Sequence, residues 1–298
     1  MNNFIVVEVG STVSKCYHYL NDEIIDLPSK NIMFKAHMKN GDLDNNDVDE
    51  LYSLIKSLKK ITTNVHVYGT SVFRKLTEQN KTKFLEDFKK NTKLNFNIVS
   101  SKQEALFTVS GVILNNNYSG RMAIMIGGGG SIEVAVVENK KIIEMHFNDF
   151  GAVNINQKFK DINNFNPEIS EDELDEFCNE NIEDIENKCD ILVTAGGDPK
   201  YCQECMASEF LEKNKFYVDK NQPHMITVKN YLKADRKFIF KQDINIYENF
   251  TVYQDDWWNF ARGYNYCIGA VAKKVGAKYE IPTKINMCLG IISELKLK

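Results

Sequence analysis

Phe4 to Val9 is apolar at every position except Glu8, which predicts a buried strand running into Gly10-Ser11-Thr12. Ser14–Leu20 and Glu23–Leu27 predict two further strands, so the chain opens as a β-hairpin. Asp47-Val-Asp-Glu50 has the spacing of a capping box, and Leu51, Leu54, Ile55 and Leu58 recur on one helical face behind it. Val65–Tyr68 reads as a short strand leading into Gly69-Thr70-Ser71 and Arg74. An amphipathic helix follows over Asn80–Lys90, with Phe84, Leu85 and Phe88 on its apolar side. Phe96–Val99 predicts a strand, and Ser101–Leu114 a helix.

Asn115-Asn-Asn-Tyr-Ser-Gly120 is a polar turn and the expected domain boundary. The pattern then starts again. Met122–Ile126 predicts a buried strand, Gly127–Gly130 a turn, Ser131–Val137 a β-branched strand, and Lys141–Phe147 a third. Pro167–Asn187 is an acidic helical region in which Ser170-Glu-Asp-Glu173 predicts a capping box. Asp190–Thr194 predicts a strand ending in Ala195-Gly196-Gly197-Asp198-Pro199. Trp257–Val275 predicts a long helix with Trp258, Ala261, Tyr264, Ile268 and Val271 as its apolar positions, closed by Gly276. The chain is expected to end in a helix after Pro282.

Each half therefore begins with a hairpin that carries a glycine turn, as though one unit had been duplicated. The four glycines of the second turn bring chemistry into the picture. Backbone N–H groups freed of side chains can wrap phosphate oxygens, because glycine reaches φ > 0 at little cost and lets an anion approach closely. Neither GxGxxG opening a helix nor GxxxxGK[ST] is present, so the familiar nucleotide fingerprints are excluded. Two such turns facing each other across a cleft would grip one phosphate-bearing ligand from both sides.

Length and composition narrow the class. The 298 residues suffice for two domains, and 43% hydrophobic with 26% charged residues is the balance of a soluble globular protein. No apolar run approaches the roughly 20 residues of a membrane span. The N-terminal residues show no signal-peptide pattern, so a cytoplasmic location is expected. Seven scattered cysteines suit a reducing compartment. Cys202 and Cys205 form the only CxxC, and with no second pair and no HxH or HExxH a cysteine- or histidine-built metal centre is not expected. The net charge of −4 is uneven: residues 1–117 hold 15 basic against 13 acidic side chains, the remainder 22 against 28. Neither balance fits a nucleic-acid-coating protein. Only four of the 37 basic residues are arginine (Arg74, Arg121, Arg236 and Arg262), so one needed for bidentate phosphate contact stands out.

Taken together, these segments resemble the exopolyphosphatase and guanosine pentaphosphate phosphohydrolase family, within the superfold of actin and the sugar kinases. The family's first phosphate loop, Asp-x-Gly-Ser-Asn-Ser, is similar to Glu8-Val9-Gly10-Ser11-Thr12-Val13, followed by Lys15 where the family has a basic residue. Its Thr-Ser-Ala-x-Arg segment looks like Thr70-Ser71-Val72-Phe73-Arg74. Its Glu-Glu-Ala-Arg-Leu looks like Gln103-Glu104-Ala105-Leu106-Phe107. Its second loop, Asp-Ile-Gly-Gly-Gly-Ser-Thr-Glu, resembles the stretch through Gly128-Gly129-Gly130-Ser131-Ile132-Glu133. Phe150-Gly151-Ala152-Val153 and Ala195-Gly196-Gly197 agree in order and spacing.

The resemblance implies an α/β fold of two actin-like (ribonuclease H-like) domains with an interdomain cleft. Residues 1–117 form the first, 118–280 the second, and the terminal helix within 281–298 returns to the first. It implies hydrolysis of inorganic polyphosphate or guanosine pentaphosphate, with a homodimer as the expected assembly and no nucleic-acid or membrane partner. Gly10, Ser11, Thr12, Lys15, Thr70, Ser71, Gly128, Gly129, Gly130 and Ser131 would hold phosphate. Arg74 would supply a guanidinium fork and Glu104 would orient or deprotonate the water. Glu8 and Glu133 would hold Mg²⁺.

Each residue has a plainer alternative. Ser101-Lys-Gln-Glu104 is itself a capping-box pattern, Glu8 could pair with a nearby lysine, and Arg74 could be a surface charge. Four departures from the family pattern stand out. Glu8 replaces an aspartate, Val13 a serine and Leu106 an arginine, while Met125 or Ile126 stands where an aspartate heads the second loop. An apolar side chain there can neither bind metal nor organise water, which leaves a phosphate or nucleotide sensor as the second functional reading. A small-molecule kinase of the same superfold is a third, without an adenosine-pocket signature to support it.

Overall fold

The computed structural model describes residues 3–115, 118, 120–127, 129–164, 168–195, 217–219, 222–230, 232–233, 258–283 and 285–297. Two compact units divide the chain: Met1–Asn115 with Asn286–Lys298, and Asn116–Ile285.

In the first unit the strands are β1 (Asn3–Val9), β2 (Val13–Leu20), β3 (Glu23–Asn31), β4 (Val65–Gly69) and β5 (Phe96–Ile98). They lie in the order β3-β2-β1-β4-β5, with β1–β2 and β2–β3 antiparallel and β1–β4 and β4–β5 parallel. Parallel steps need crossovers. Helices α1 (Phe34–His37) and α2 (Asn45–Leu58) make the first, α3 (Ser71–Arg74) and α4 (Glu78–Thr92) the second.

One sheet face, carrying Ile5, Val7 and Val9, packs on Leu51, Ile55 and Leu58 of α2 and on Phe84 and Phe88 of α4, with Leu54 partly buried beside them. Phe73, Phe84, Phe88 and Phe96 close this core as a ring cluster. The Phe73–Phe96 centroids are 4.7 Å apart and the Phe84–Phe96 centroids 4.9 Å. Such pairs contribute about 0.5–1.5 kcal/mol beyond area burial, and here they also fix the chain just before Arg74. The opposite face, with Phe4, Val6 and Tyr19, is covered by the terminal helix Met287–Leu295 through Met287, Cys288, Ile291 and Ile292. That helix lies against α5 (Ser101–Asn115), where a Cβ on Gly290 would collide with the Phe107 carbonyl.

The second unit repeats the plan with β6 (Met122–Gly127), β7 (Ile132–Glu138), β8 (Lys141–Asn148), α6 (Ala152–Lys158), α7 (Glu171–Asn181) and β9 (Ile191–Ala195). Then come β10 (Tyr217–Asp219), β11 (Gln222–Thr227), α8 (Trp258–Val275) and β12 (Tyr279–Thr283). Its sheet order is β10-β11-β12-β9-β6-β7-β8, so β8-β7-β6-β9-β12 matches the whole first sheet strand for strand and polarity for polarity. Even the second turns agree: Asn21-Asp22 and Asn139-Lys140 are two-residue loops with φ > 0 at both positions, the backbone that twisted hairpins favour. The core of this unit joins Met125, Val134, Leu174, Leu192, Cys267 and Val271. Arg262, buried within α8, donates through Nη1 to the carbonyls of Ile162 and Asn164 at 2.6 and 2.7 Å.

Two sequence expectations need correction, and one strand is unexpected. The Asp47 capping box does not form: Asp44 caps α2 by accepting from the Asn46 N–H at 2.9 Å, and Asp47 lies inside the helix, buried against His37. Ser170 stands at the N-cap of α7 but makes no side-chain capping bond. A strand, β12, precedes the terminal helix. Its Pro282 is tolerated because β12 shares only Tyr279 and Glu280 with β11, so the proline lies beyond that pairing. The Gly196–Pro199 turn, Cys202, Cys205, Arg236, Trp257 and Gly128 lie outside the described residues. None of the described helices is long and apolar enough to cross a membrane.

Candidate functional site

In the first unit the loop from Gly10 to Thr12 closes with the Gly10 N–H on the Val13 carbonyl at 3.0 Å. A Cβ at Gly10 would stand 2.7 Å from that same oxygen, so the turn requires glycine. Backbone N–H groups of Lys35 and Ile32 donate to the Ser11 and Thr12 carbonyls, which anchors the loop from outside. The β4–α3 turn docks onto it. Thr70 donates its N–H to the Val9 carbonyl at 3.1 Å, and the Ser11 and Ser71 hydroxyls share a hydrogen bond of 2.7 Å. The first loop and the Thr70-Ser71 segment, 60 residues apart, thus form one hydroxyl-lined edge.

Arg74 and Glu104 meet beside it. Arg74 Nη1 donates to Glu104 Oε2 and to the Val99 carbonyl, each at 2.9 Å. Among the described residues no partner takes its Nε or Nη2. The capping alternative for Glu104 is overturned, because α5 is capped one residue earlier. Ser100 N–H donates to Gln103 Oε1 at 2.9 Å and Gln103 N–H to Ser100 Oγ at 3.2 Å, a complete capping box. Glu104 falls one position further on and turns to the arginine. Its side chain is 34% exposed and that of Arg74 27%, so Arg74 is not a loose surface charge. Burial pushes the Glu104 pKa up, and the Glu8 charge adds to this against the opposing pull of Arg74 and Lys15.

Glu8 and Lys15 are directly opposite in the β1–β2 ladder, and Tyr68 flanks Glu8 on β4. The Glu8 carboxylate raises the Lys15 pKa against the cost of burial. The other neighbour of Glu8 carries no sequence signal: the Cys288 thiol lies 3.9 Å from Glu8 Oε2. Burial, then the Glu8 charge, pushes that thiol well above its ordinary pKa. Asn286, which caps the terminal helix by accepting from the Leu289 N–H, also donates to the Tyr17 hydroxyl at 3.0 Å. These contacts join the two ends of the chain, and no local motif announces them.

In the second unit, Gly129 accepts from the Val153 N–H at 2.7 Å, and a Cβ there would meet Val153 Cγ2 at 3.0 Å. Gly130 faces open space. Gly127 has no room for a side chain because the Tyr264 ring occupies it. Ser131 is half-buried. Glu133 is 8% exposed and stands directly across the ladder from Ile126. Burial above all, with a smaller push from the Cys267, Glu280 and Glu133 charges, holds the Tyr264 phenol in its neutral form.

Glu8, Gly10, Ser11, Thr12, Lys15, Thr70, Ser71, Arg74 and Glu104 therefore belong to the first unit, and Gly129, Gly130, Ser131 and Glu133 to the second. The duplicated sheet order with helical crossovers defines an α/β protein of the actin-like superfold. The model of the Ppx/GppA phosphatase family matches residues 32–249, and the chain belongs to that family.

Similar solved structures include a PPX-GPPA enzyme of Aquifex aeolicus, 18% identical at a TM-score of 0.76, with 98% of this chain and 99% of that chain covered. Another is the crystal structure of an A. aeolicus family member, 16% identical at 0.75, covering 99% and 97%. An exopolyphosphatase from Cytophaga hutchinsonii ATCC 33406 is 14% identical at 0.71, also covering 99% and 97%. At these identities the likeness shows the fold. A comparison with curated proteins finds no match.

Enzymes of this family are generally divalent-metal dependent. The described residues hold no group of three His, Cys, Asp or Glu side chains fit for a metal ion. Glu8 stands across the ladder from Lys15 and against the Cys288 thiol, an environment that does not fit a hard cation seeking oxygen ligands.

Proposed function

We propose that the protein is a phosphoanhydride hydrolase that removes the terminal phosphate from inorganic polyphosphate or guanosine pentaphosphate, acting as a cytoplasmic homodimer with Mg²⁺ as the associated cation. The family and the exopolyphosphatase fold neighbour support the class. The observation that carries the reading is the release of Glu104 from helix capping into a pair with Arg74.

In this reading Arg74, Lys15, the hydroxyls of Ser11, Thr12, Thr70 and Ser71, and the Gly10 turn bind and orient the terminal phosphate. Gly128–Gly130 and Ser131 are the second phosphate-binding element, with Glu133 as its carboxylate. Glu104 takes a proton from water as the water oxygen bonds to phosphorus and the anhydride P–O bond breaks. Its raised pKa makes it a better proton acceptor than an ordinary glutamate. Little covalent chemistry is asked of the protein, since positioning and charge stabilisation dominate phosphoryl transfer.

Glu104→Gln tests this. The variant is expected to lose about 10²–10⁴-fold in phosphate release, the usual share of a general base, while binding polyphosphate nearly as well as the parent. Unchanged turnover would sink the role given to Glu104. A second reading, a polyphosphate or nucleotide sensor that no longer cuts, draws on fully buried Met125 and apolar Ile126 where the family's second loop has an aspartate.

A further inference from the structure

Lys15, Glu8 and Tyr68 form one row across β2, β1 and β4, on the sheet face that the terminal helix covers. Directly opposite side chains of an antiparallel pair have Cβ atoms about 4.5–5.5 Å apart, so Lys15 and Glu8 are neighbours on one face of the ladder, their charges acting on each other through space rather than as a direct ion pair. The ammonium also feels Glu104, which is paired with Arg74. On another side Glu8 meets the Cys288 thiol. Two carboxylates are thus matched by two cations within the first unit. A divalent ion placed on Glu8 would face the lysine charge across the ladder in a partly desolvated site, where like charges repel more than in water.

We infer that Lys15 is the resident cation of this site: it neutralises Glu8 and excludes a divalent ion from it in the free protein. Mg²⁺ then enters already bound to the phosphates of the substrate. Only this last clause rests on the proposed hydrolase activity. The cation balance at Glu8 does not, and it is tested without substrate.

The test is titration of the full chain with Mn²⁺, a hard cation that carboxylate sites accept and that reports binding by electron paramagnetic resonance. The parent and Lys15→Arg are expected to show no Mn²⁺ binding that depends on Glu8. Lys15→Met is expected to gain a site at least about tenfold tighter, since one like charge has gone. Adding Glu8→Gln to that variant should remove the new site. Binding by the parent that Glu8→Gln abolishes would overturn the inference, as would a folded Lys15→Met that gains nothing. Should Lys15→Met fail to fold, Glu8→Gln alone decides: unchanged Mn²⁺ binding upholds the inference and lost binding refutes it. Phosphate release plays no part in these outcomes, so the hydrolase reading stands or falls separately.

Discussion

The hairpins that open the two units are built on the same plan and carry opposite chemistry at the same place. One step before the strand pair ends, the first has Glu8 facing Lys15 and the second has Ile126 facing Glu133. In the first, the carboxylate sits on the leading strand with a cation across from it. In the second, it has crossed to the returning strand and faces an apolar side chain. The loops differ accordingly. Gly10 is locked by the Val13 carbonyl and tied to Ser71 through Ser11, whereas Gly130 has nothing within 4 Å of a would-be Cβ. The two units share a frame, set by strand polarity and turn geometry, and differ at the charged positions. Beside its loop the first hairpin has a carboxylate paired in register with a lysine, and the second an acid in register with an isoleucine.

That contrast can be broken most severely at Arg74. Arg74→Ala is expected to weaken polyphosphate binding by about 2–5 kcal/mol, the cost of unpairing a desolvated charge, in a binding titration. An effect no larger than that of removing a rim lysine would mean the first unit has no built phosphate site. Ser100→Ala removes the true cap of α5. It should lower stability by about 0.5–2 kcal/mol in a denaturant melt while turnover per folded molecule stays near the parent's. The opposite pattern, turnover lost and stability kept, would exchange the roles given to Ser100 and Glu104. The mildest test restores an acid to the second hairpin. Compared with Ile126→Asn, Ile126→Asp adds a second carboxylate directly opposite Glu133 and should be less stable by about 0.2–1 kcal/mol in a denaturant melt. Equal stability of the two variants would mean that the side chains at 126 and 133 do not meet across that ladder.

Much of the architecture is legible in the amino-acid sequence alone. The hairpin starts, the apolar faces of α2 and α4 and the glycine turns follow from periodicity and turn chemistry, because both are local. The features that escape such a reading share one physical cause. Ser100–Gln103 and Ser101–Glu104 are both capping-box patterns, and only the helix register, set by packing of α5 on the terminal helix, decides between them. Asp47 has the pattern of a cap, but burial against His37 places it inside the helix. β12 is a strand because β9 pairs with all of it, a reason that lies far along the chain. Cys288 reaches Glu8 across nearly the whole sequence.

The measurement that tests the central claim most directly is phosphate release from long-chain polyphosphate, in Mg²⁺ and in chelator, beside a binding titration on the same preparation. The account predicts binding together with release of terminal phosphate that requires the divalent ion. Binding without release would contradict it and leave a protein that holds phosphate and no longer cuts it.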